Sequence, residues 1–225
     1  MRLNFFHPAW LLMVPIHLVA AEPPVPKGMV AAPQTLINFD HDAVGKIPLH
    51  FTLAVTGKGP DVHWEVRQDA HAPSLPNLLI QSGAAEPGDN FALLLADGFR
   101  MEQGEIAVRF RPMAGEVNQA MGIVFRYRDP QNYYVIEGDS RGDQCRLISI
   151  KNGKKKIIDS QEVVITTLTW HELRIVFSKN KFTAAVDGEL ILGTKDSSLQ
   201  GPGQVGLWTV SDSSIAFDDL RITSL

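Results

Sequence analysis

The chain has 225 residues, with 25 acidic against 21 basic side chains for a formal charge of -4, and a single cysteine. One cysteine excludes an internal disulfide, and lysines and arginines that do not gather into a broad basic stripe exclude a nucleic-acid surface. The length is enough to bury a substantial core without covalent staples.

Arg2 precedes an apolar run from Ala9 to Ala21, broken by Pro15 and His17 and closing on Val19-Ala20-Ala21. A charged start, a short apolar middle and small closing residues are the arrangement of a secretory signal peptide. The run is shorter than the ~20 apolar residues of a spanning helix, and no cysteine lies at the cut to take a lipid. Residues 1–21 are therefore expected to leave a secreted or periplasmic protein with no membrane anchor. The lack of disulfides suits a bacterial periplasm or exterior. Glu22-Pro-Pro-Val-Pro-Lys-Gly opens a proline-rich linker over 22–35, and 36–225 are expected to form one domain.

From Leu36 onward the apolar residues recur with period two in short segments punctuated by Gly, Pro, Asn and Asp. Strands are predicted at Leu36–Phe39, Trp64–Gln68, Asn77–Gln81, Phe91–Ala96, Glu105–Pro112 and Met121–Arg128. They continue at Tyr133–Asp139, Cys145–Lys151, Lys155–Gln161, His171–Ser178, Lys181–Val186, Glu189–Thr194, Val205–Val210 and Ser214–Ile222. No segment carries a helical stripe, and many short strands at this spacing predict an all-β sandwich or barrel. Asn152-Gly153 and Asp187-Gly188 are hairpin turns, so Lys154-Lys155-Lys156 is a solvated hairpin end.

In Met121–Arg128 the odd positions Met121, Ile123, Phe125 and Tyr127 are apolar, and Asp129-Pro-Gln-Asn is a turn with Pro at its second position. A register with Arg128 opposite Tyr133 and Phe125 opposite Ile136 puts the apolar side chains on one face. The other face then carries Arg126, Arg128, Tyr133, Val135, Glu137 and Asp139, and a slip of one residue would undo this sorting. Glu105, Arg109 and Arg111 alternate away from Ile106, Val108 and Phe110, so three neighbouring strands are expected to share one arginine-rich face.

Sugars present hydroxyls and weakly apolar ring faces, and aromatic platforms with planar polar side chains suit them. Arg109, Arg126, Arg128 and Tyr133 have that chemistry as substrate-binding candidates, together with Trp64, which has His63, Asp69 and His71 near it in sequence. The bland alternative is a set of cross-strand ion pairs on a solvated sheet. Glu137 and Asp139 alternate on one strand face about 6.5 Å apart, within the range of ~5 to 9.5 Å that paired glycosidase carboxylates occupy, and are the catalytic candidates. Trp170 and Trp208 are expected in the core. Calcium needs several oxygen ligands, and Asp40 with Asp218 is the candidate structural calcium site, against the alternative that Asp218-Asp219 simply begins a terminal strand. Zinc spacings, a phosphate loop, a nucleophile elbow and a dinucleotide fingerprint do not occur.

The C-terminal order resembles concanavalin A-like jelly rolls: Thr169-Trp-His-Glu-Leu-Arg-Ile-Val-Phe, Val186-Asp-Gly-Glu-Leu, Gly206-Leu-Trp-Thr and Ala216-Phe-Asp-Asp-Leu-Arg-Ile. These are the fold of legume lectins, laminin G-like domains and laminarinase-type glycoside hydrolases. Trp64-Glu-Val-Arg-Gln-Asp, Gly122-Ile-Val-Phe-Arg-Tyr, Asp129-Pro-Gln-Asn-Tyr-Tyr-Val and Gly206-Leu-Trp-Thr-Val-Ser-Asp-Ser look like secreted bacterial proteins described as family 16 glycoside hydrolase-like, related to the 3-keto-disaccharide hydrolases. The resemblance implies an all-β sandwich of two antiparallel sheets over Leu36 to Leu225, with a ligand groove on a concave sheet face. The third acid of the laminarinase Glu-x-Asp-x-x-Glu strand is missing, since Ser140, Arg141 and Gly142 follow Asp139. The Asn-Ser-Gly-Ile and Glu-x-Gln-x-x-Asp strands of the 3-keto-disaccharide hydrolases are replaced by Ala120-Met-Gly-Ile and Tyr134-Val-Ile-Glu-Gly-Asp. The expected function is carbohydrate binding on the concave face by a monomer. A hydrolase or lyase on a modified glycoside, and a protein-interaction module, are the alternatives.

Overall fold

A computed structural model describes residues 33–58, 63–82, 89–210 and 212–225. The leader and all but the end of the linker lie outside the described residues. Among the described residues are fifteen strands and no helix: β1 Gln34–Ile37, β2 Phe51–Lys58, β3 His63–Gln68, β4 Asn77–Ser82, β5 Asp89–Met101, β6 Gly104–Ala114, β7 Ala120–Asp129 and β8 Asn132–Asp139. The chain continues through β9 Gln144–Lys151, β10 Lys154–Glu162, β11 His171–Ser178, β12 Lys181–Val186, β13 Glu189–Lys195, β14 Gly203–Val210 and β15 Ser214–Ser224. The first sheet runs β13-β12-β11-β6-β15-β4-β3, with β1 also paired to β15, and the second runs β10-β9-β8-β7-β14-β5-β2. All the ladders between these strands are antiparallel. The architecture is the expected two-sheet jelly-roll sandwich.

Alternation along each strand builds the layer between the sheets. In β11, Leu173, Ile175 and Phe177 are buried while the residues between them are half-buried. They pack with Ile106, Val108 and Phe110 of β6 and with Ile123, Phe125, Tyr134 and Ile136 from the opposite sheet. Both predicted hairpin turns are present: Asn152 and Gly153 have φ of 51° and 73°, Asp187 and Gly188 φ of 50° and 81°, the mirror-image turn that matches strand twist.

β2 is the strand absent from the sequence reading. Its Phe51-Thr-Leu-Ala-Val-Thr does alternate, but the contrast with Ala54 and the threonines is low. As an edge strand it also leaves Leu53 and Val55 exposed.

Two expectations about faces are corrected. β6 and β7 do not neighbour each other: β6 lies between β11 and β15 in the first sheet, β7 between β8 and β14 in the second. The arginines of β6 therefore share no face with β7 and β8. The expected hairpin register also holds only beside the turn, where Asp129 faces Asn132, because a bulge shifts the ladder so that Phe125 faces Tyr134 and Ile123 faces Ile136. Arg126 sits in this bulge at φ 49°. Two extra residues on β7 move Tyr127 to the outer face and turn Arg126 inward, the reverse of the expected sorting. Gly203 of β14 permits the bulge, since a Cβ there would lie 2.3 Å from the Arg126 carbonyl carbon.

Candidate functional site

The outer face of the second sheet holds a second apolar layer, separate from the core between the sheets: Leu93 and Leu95 of β5, Trp208 of β14, Val124 and Tyr127 of β7, Tyr133 and Val135 of β8, and Ile148 and Ile150 of β9. Register places Trp208 opposite Gly122 and Gly122 opposite Glu137, which in turn faces Arg146. Gly122 makes room for the indole, because a Cβ there would come within 3.2 Å of Trp208 Cε3. The Trp208 ring thus lies across a bare stretch of β7 toward Glu137, with Phe91 stacked on it at 5.0 Å and 26°.

The polar end of this face is organised by Arg146. Its guanidinium donates to Glu137 Oε2 at 3.0 Å, to Asp139 Oδ2 at 3.2 Å and to Gln144 Oε1 at 2.7 Å. Strand alternation aligns all four, with Glu137 and Asp139 on β8 opposite Arg146 and Gln144 on β9. Glu137 is buried, and burial raises its carboxyl above the usual range although Arg146 and Lys155 both pull it down. Asp139, Gln144 and Arg146 remain partly open to solvent.

Two contacts reveal the shape of the face. The Tyr133 and Thr56 hydroxyls are hydrogen-bonded at 2.9 Å, one on β8 and the other on β2, with β7, β14 and β5 between them. Four strand spacings are roughly 19 Å in a flat sheet, farther than the two side chains reach together. Lys155 on β10 likewise places its Nζ 5.5 Å from the ring centre of Phe91 on β5. The sheet must therefore curl toward its outer face, and the curl shelters the apolar layer beneath these two contacts.

Of the sequence candidates, the structure brings together Tyr133, Glu137 and Asp139 on this face. Arg128 is exposed beside Gly201, whose Cβ would be 3.5 Å from its guanidinium. Arg126 is not on the face: it is 1% exposed and donates to the backbone carbonyls of Glu102, Leu199 and Lys179. Trp64 is buried in the core between the sheets, stacked on Phe217 at 5.6 Å. Arg109 belongs to the outer face of the first sheet, 3.6 Å from Asp219. The pairs Arg174–Glu105, Arg221–Glu172 and Arg111–Asp69 give that face the ion-paired character foreseen as the bland alternative.

Asp40 and Asp218 flank one loop. Asp40 Oδ1 accepts the Asn77 N–H at 3.0 Å, whereas Asp218 accepts the Ser74 N–H and hydroxyl and the Asp219 N–H. These donors turn the positive ends of their dipoles to the oxygens that a cation would need. Among the described residues no group of three or more His, Cys, Asp or Glu side chains converges to hold a metal, and the arrangement at Asp40 and Asp218 does not fit calcium.

Asp218 is fully buried, and burial pushes its carboxyl from 3.8 up to about 6 against the hydrogen bonds from Ser74 and Asp219. The folded state then holds this proton more tightly than the unfolded chain. The stabilisation is complete below the unfolded value and is lost as pH rises through about 6. Between pH 7 and pH 5 it should add about 1.4 kcal/mol. Denaturant melts of the parent and Asp218→Asn at both pH values should show their difference moving toward the parent by that amount at pH 5. A pH-independent difference would refute the burial effect.

Arg146, Trp208, Phe91 and Thr56 were not among the sequence candidates. Arg146 was within reach, because a tight β8–β9 hairpin sets it opposite Glu137. The curl that unites β2 with β8 leaves no local trace in the sequence.

No family model and no curated protein sequence matches the chain. Solved structures do. The chain is similar to the carbohydrate binding module CBM66 from Bacillus subtilis, with a TM-score of 0.60 at 18% identity over 78% of this chain and 96% of that one. It is similar to a cellulose induced protein, Cip1, with a TM-score of 0.59 at 13% identity over 85% and 97%. It is also similar to a Bacillus licheniformis beta-glucanase, with a TM-score of 0.53 at 13% identity over 87% and 99%. At these identities the likeness establishes the fold, a concanavalin A-like jelly roll.

Proposed function

We propose that this chain is a secreted or periplasmic carbohydrate-binding protein that takes its glycan on the curled outer face of the second sheet. One observation carries the reading: the Trp208–Phe91 stack lies beside the Arg146 clamp on Glu137, Asp139 and Gln144. An apolar ring face next to planar hydrogen-bonding groups is what a pyranose or furanose offers a partner for. The sugar meets the partly exposed Phe91, Asp139, Gln144 and Arg146 first. Reaching Trp208 requires parting the Tyr133–Thr56 hydrogen bond, a net cost of about 1 kcal/mol. Similarity to structures named as a carbohydrate binding module and a beta-glucanase supports the substrate class.

A glycan-array screen identifies a ligand, and calorimetry with Phe91→Ala and Asp139→Asn tests the site. Each variant should bind about tenfold more weakly or worse while remaining folded, Asp139→Asn melting close to the parent and Phe91→Ala somewhat lower because its ring packs on Trp208. Parent-like affinity in both would remove the site from this face. The raised carboxyl of Glu137 beside Asp139 favours a hydrolase as the second reading. Under that reading Glu137→Gln abolishes turnover of ordinary or oxidised disaccharides with affinity nearly intact, whereas a binding carboxylate loses affinity alone.

A further inference from the structure

β9 and β10 break the apolar pattern where it faces inward. Along β9 the inward positions run Cys145, Leu147, Ser149 and Lys151, the first two in the core. The paired inward positions of β10 are Lys156 opposite Ser149 and Lys154 opposite Lys151. Beyond Leu147 the sandwich therefore ends in lysines instead of aliphatic side chains, although the strands continue.

These residues line a cleft of about 430 Å³ bounded on its other side by Ser198, with Lys151, Lys154 and Lys156 contributing three ammonium groups and Ser149 and Ser198 two hydroxyls. None of the ion pairs among the described residues includes the three lysines. Asp196, whose charge Lys156 feels, is already engaged by the Tyr134 hydroxyl and the Ser198 N–H. Asp196 offsets at most one of the three ammonium charges, and the exposed Lys151, Lys154 and Lys156 repel one another on a chain whose net charge is negative. An anion entering the cleft relieves that repulsion.

We propose that this cleft is a second binding site, for the oxyanion groups of an acidic polysaccharide, either sulfate esters or uronate carboxylates. It opens on the inner side of the β9–β10 hairpin, whereas the Trp208 face lies on the other side of the same strands, so the two sites are distinct. Hydroxyls from Ser149 and Ser198 complement the ammonium groups in recognising a tetrahedral or planar oxyanion.

The full chain is titrated with dextran sulfate, polygalacturonate, uncharged dextran and a single-stranded oligonucleotide of matched charge. Binding to at least one acidic polysaccharide is expected, stronger than to dextran and weakened by added salt. The dextran sulfate and polygalacturonate arms separate sulfate from carboxylate. A Lys151→Ala, Lys154→Ala, Lys156→Ala triple variant should lose about tenfold or more of that affinity. A Lys46→Ala, Lys181→Ala, Lys195→Ala triple, which removes equal charge elsewhere, should lose far less. Parent-like binding by the first triple, an equal loss in the second, no binding to either acidic polysaccharide, or tighter binding of the oligonucleotide would overturn the proposal. Scoring on the acidic polysaccharides alone keeps a failed cleft distinguishable from a failed Trp208 face.

Discussion

Arg126→Met is expected to destabilise the fold by about 3 to 5 kcal/mol, because it strips three backbone carbonyls of their charged donor. The guanidinium binds the carbonyls of Glu102 in the β5–β6 turn, Lys179 in the β11–β12 turn and Leu199 before β14. It thereby ties three chain reversals at one end of the sandwich to the β7 bulge. Among the described residues no carboxylate forms an ion pair with it, and burial lowers its pKa although the charge of Glu102 acts the other way. The Phe177 and Phe182 rings lie 5.7 and 5.4 Å from it, close enough for cation–π attraction. A methionine fills much of the volume but leaves those carbonyls without donors, at about 1 to 3 kcal/mol for each one that water cannot reach. Lysine, with a single compact ammonium in place of a planar fork, should rescue little. Chemical denaturation of both variants measures the loss, and a change below about 1 kcal/mol for methionine would show that the network does not support the fold.

Phe125→Ala should cost a similar amount, about 3 to 5 kcal/mol. The side chain is fully buried and its ring centre lies 4.8 Å from Phe177, 5.5 Å from Tyr134 and 5.8 Å from Phe182. It therefore joins the second sheet to β11 and β12 of the first, and truncation empties the centre of an aromatic cluster that cannot close over the gap. Phe125 is the last residue of β7 before the ladder shifts. The variant thus tests the face that Phe125 takes: a loss below about 1 kcal/mol in denaturant titration would mean that Phe125 does not face the other sheet.

The strands were legible because alternation and turn chemistry are local properties. Met121 to Asp139 is a span of nineteen residues, and within it the run from Met121, the Asp129-Pro turn and the run after Asn132 could all be read without knowing the rest of the chain. The partnership of strands was not legible in the same way. β6 pairs with β11 and β15, and β7 with β14, over long sequence distances, so their contiguity in sequence wrongly implied one shared face. The bulge at Arg126 was also hidden, because it depends on Gly203 some seventy-seven residues away. Its consequence was large: Arg126, one of the expected sugar ligands, became a core residue. Glu137, Asp139 and Tyr133 fell on the anticipated face because the extra residues are on β7 and β8 itself runs without a bulge, so alternation alone decides there. Trp64 was expected at the sugar site and Trp208 in the core, and the structure reverses the two: Trp64 lies between the sheets, while the space at Gly122 lets Trp208 lie along the outer face.

The three described tryptophans occupy three different places: Trp64 in the core between the sheets, Trp170 beside Arg111 on the outer face of the first sheet, and Trp208 on the curled face of the second. Their indole N–H resonances in a single nitrogen-correlated NMR spectrum therefore report on the alternatives together. Titration with a glycan that the protein binds should move the Trp208 indole signal, leave Trp64 nearly still and leave Trp170 unchanged. A glycan that moves Trp170 while Trp208 stays fixed would place recognition on the ion-paired face of the first sheet and contradict the assignment of the sugar site to the curled face.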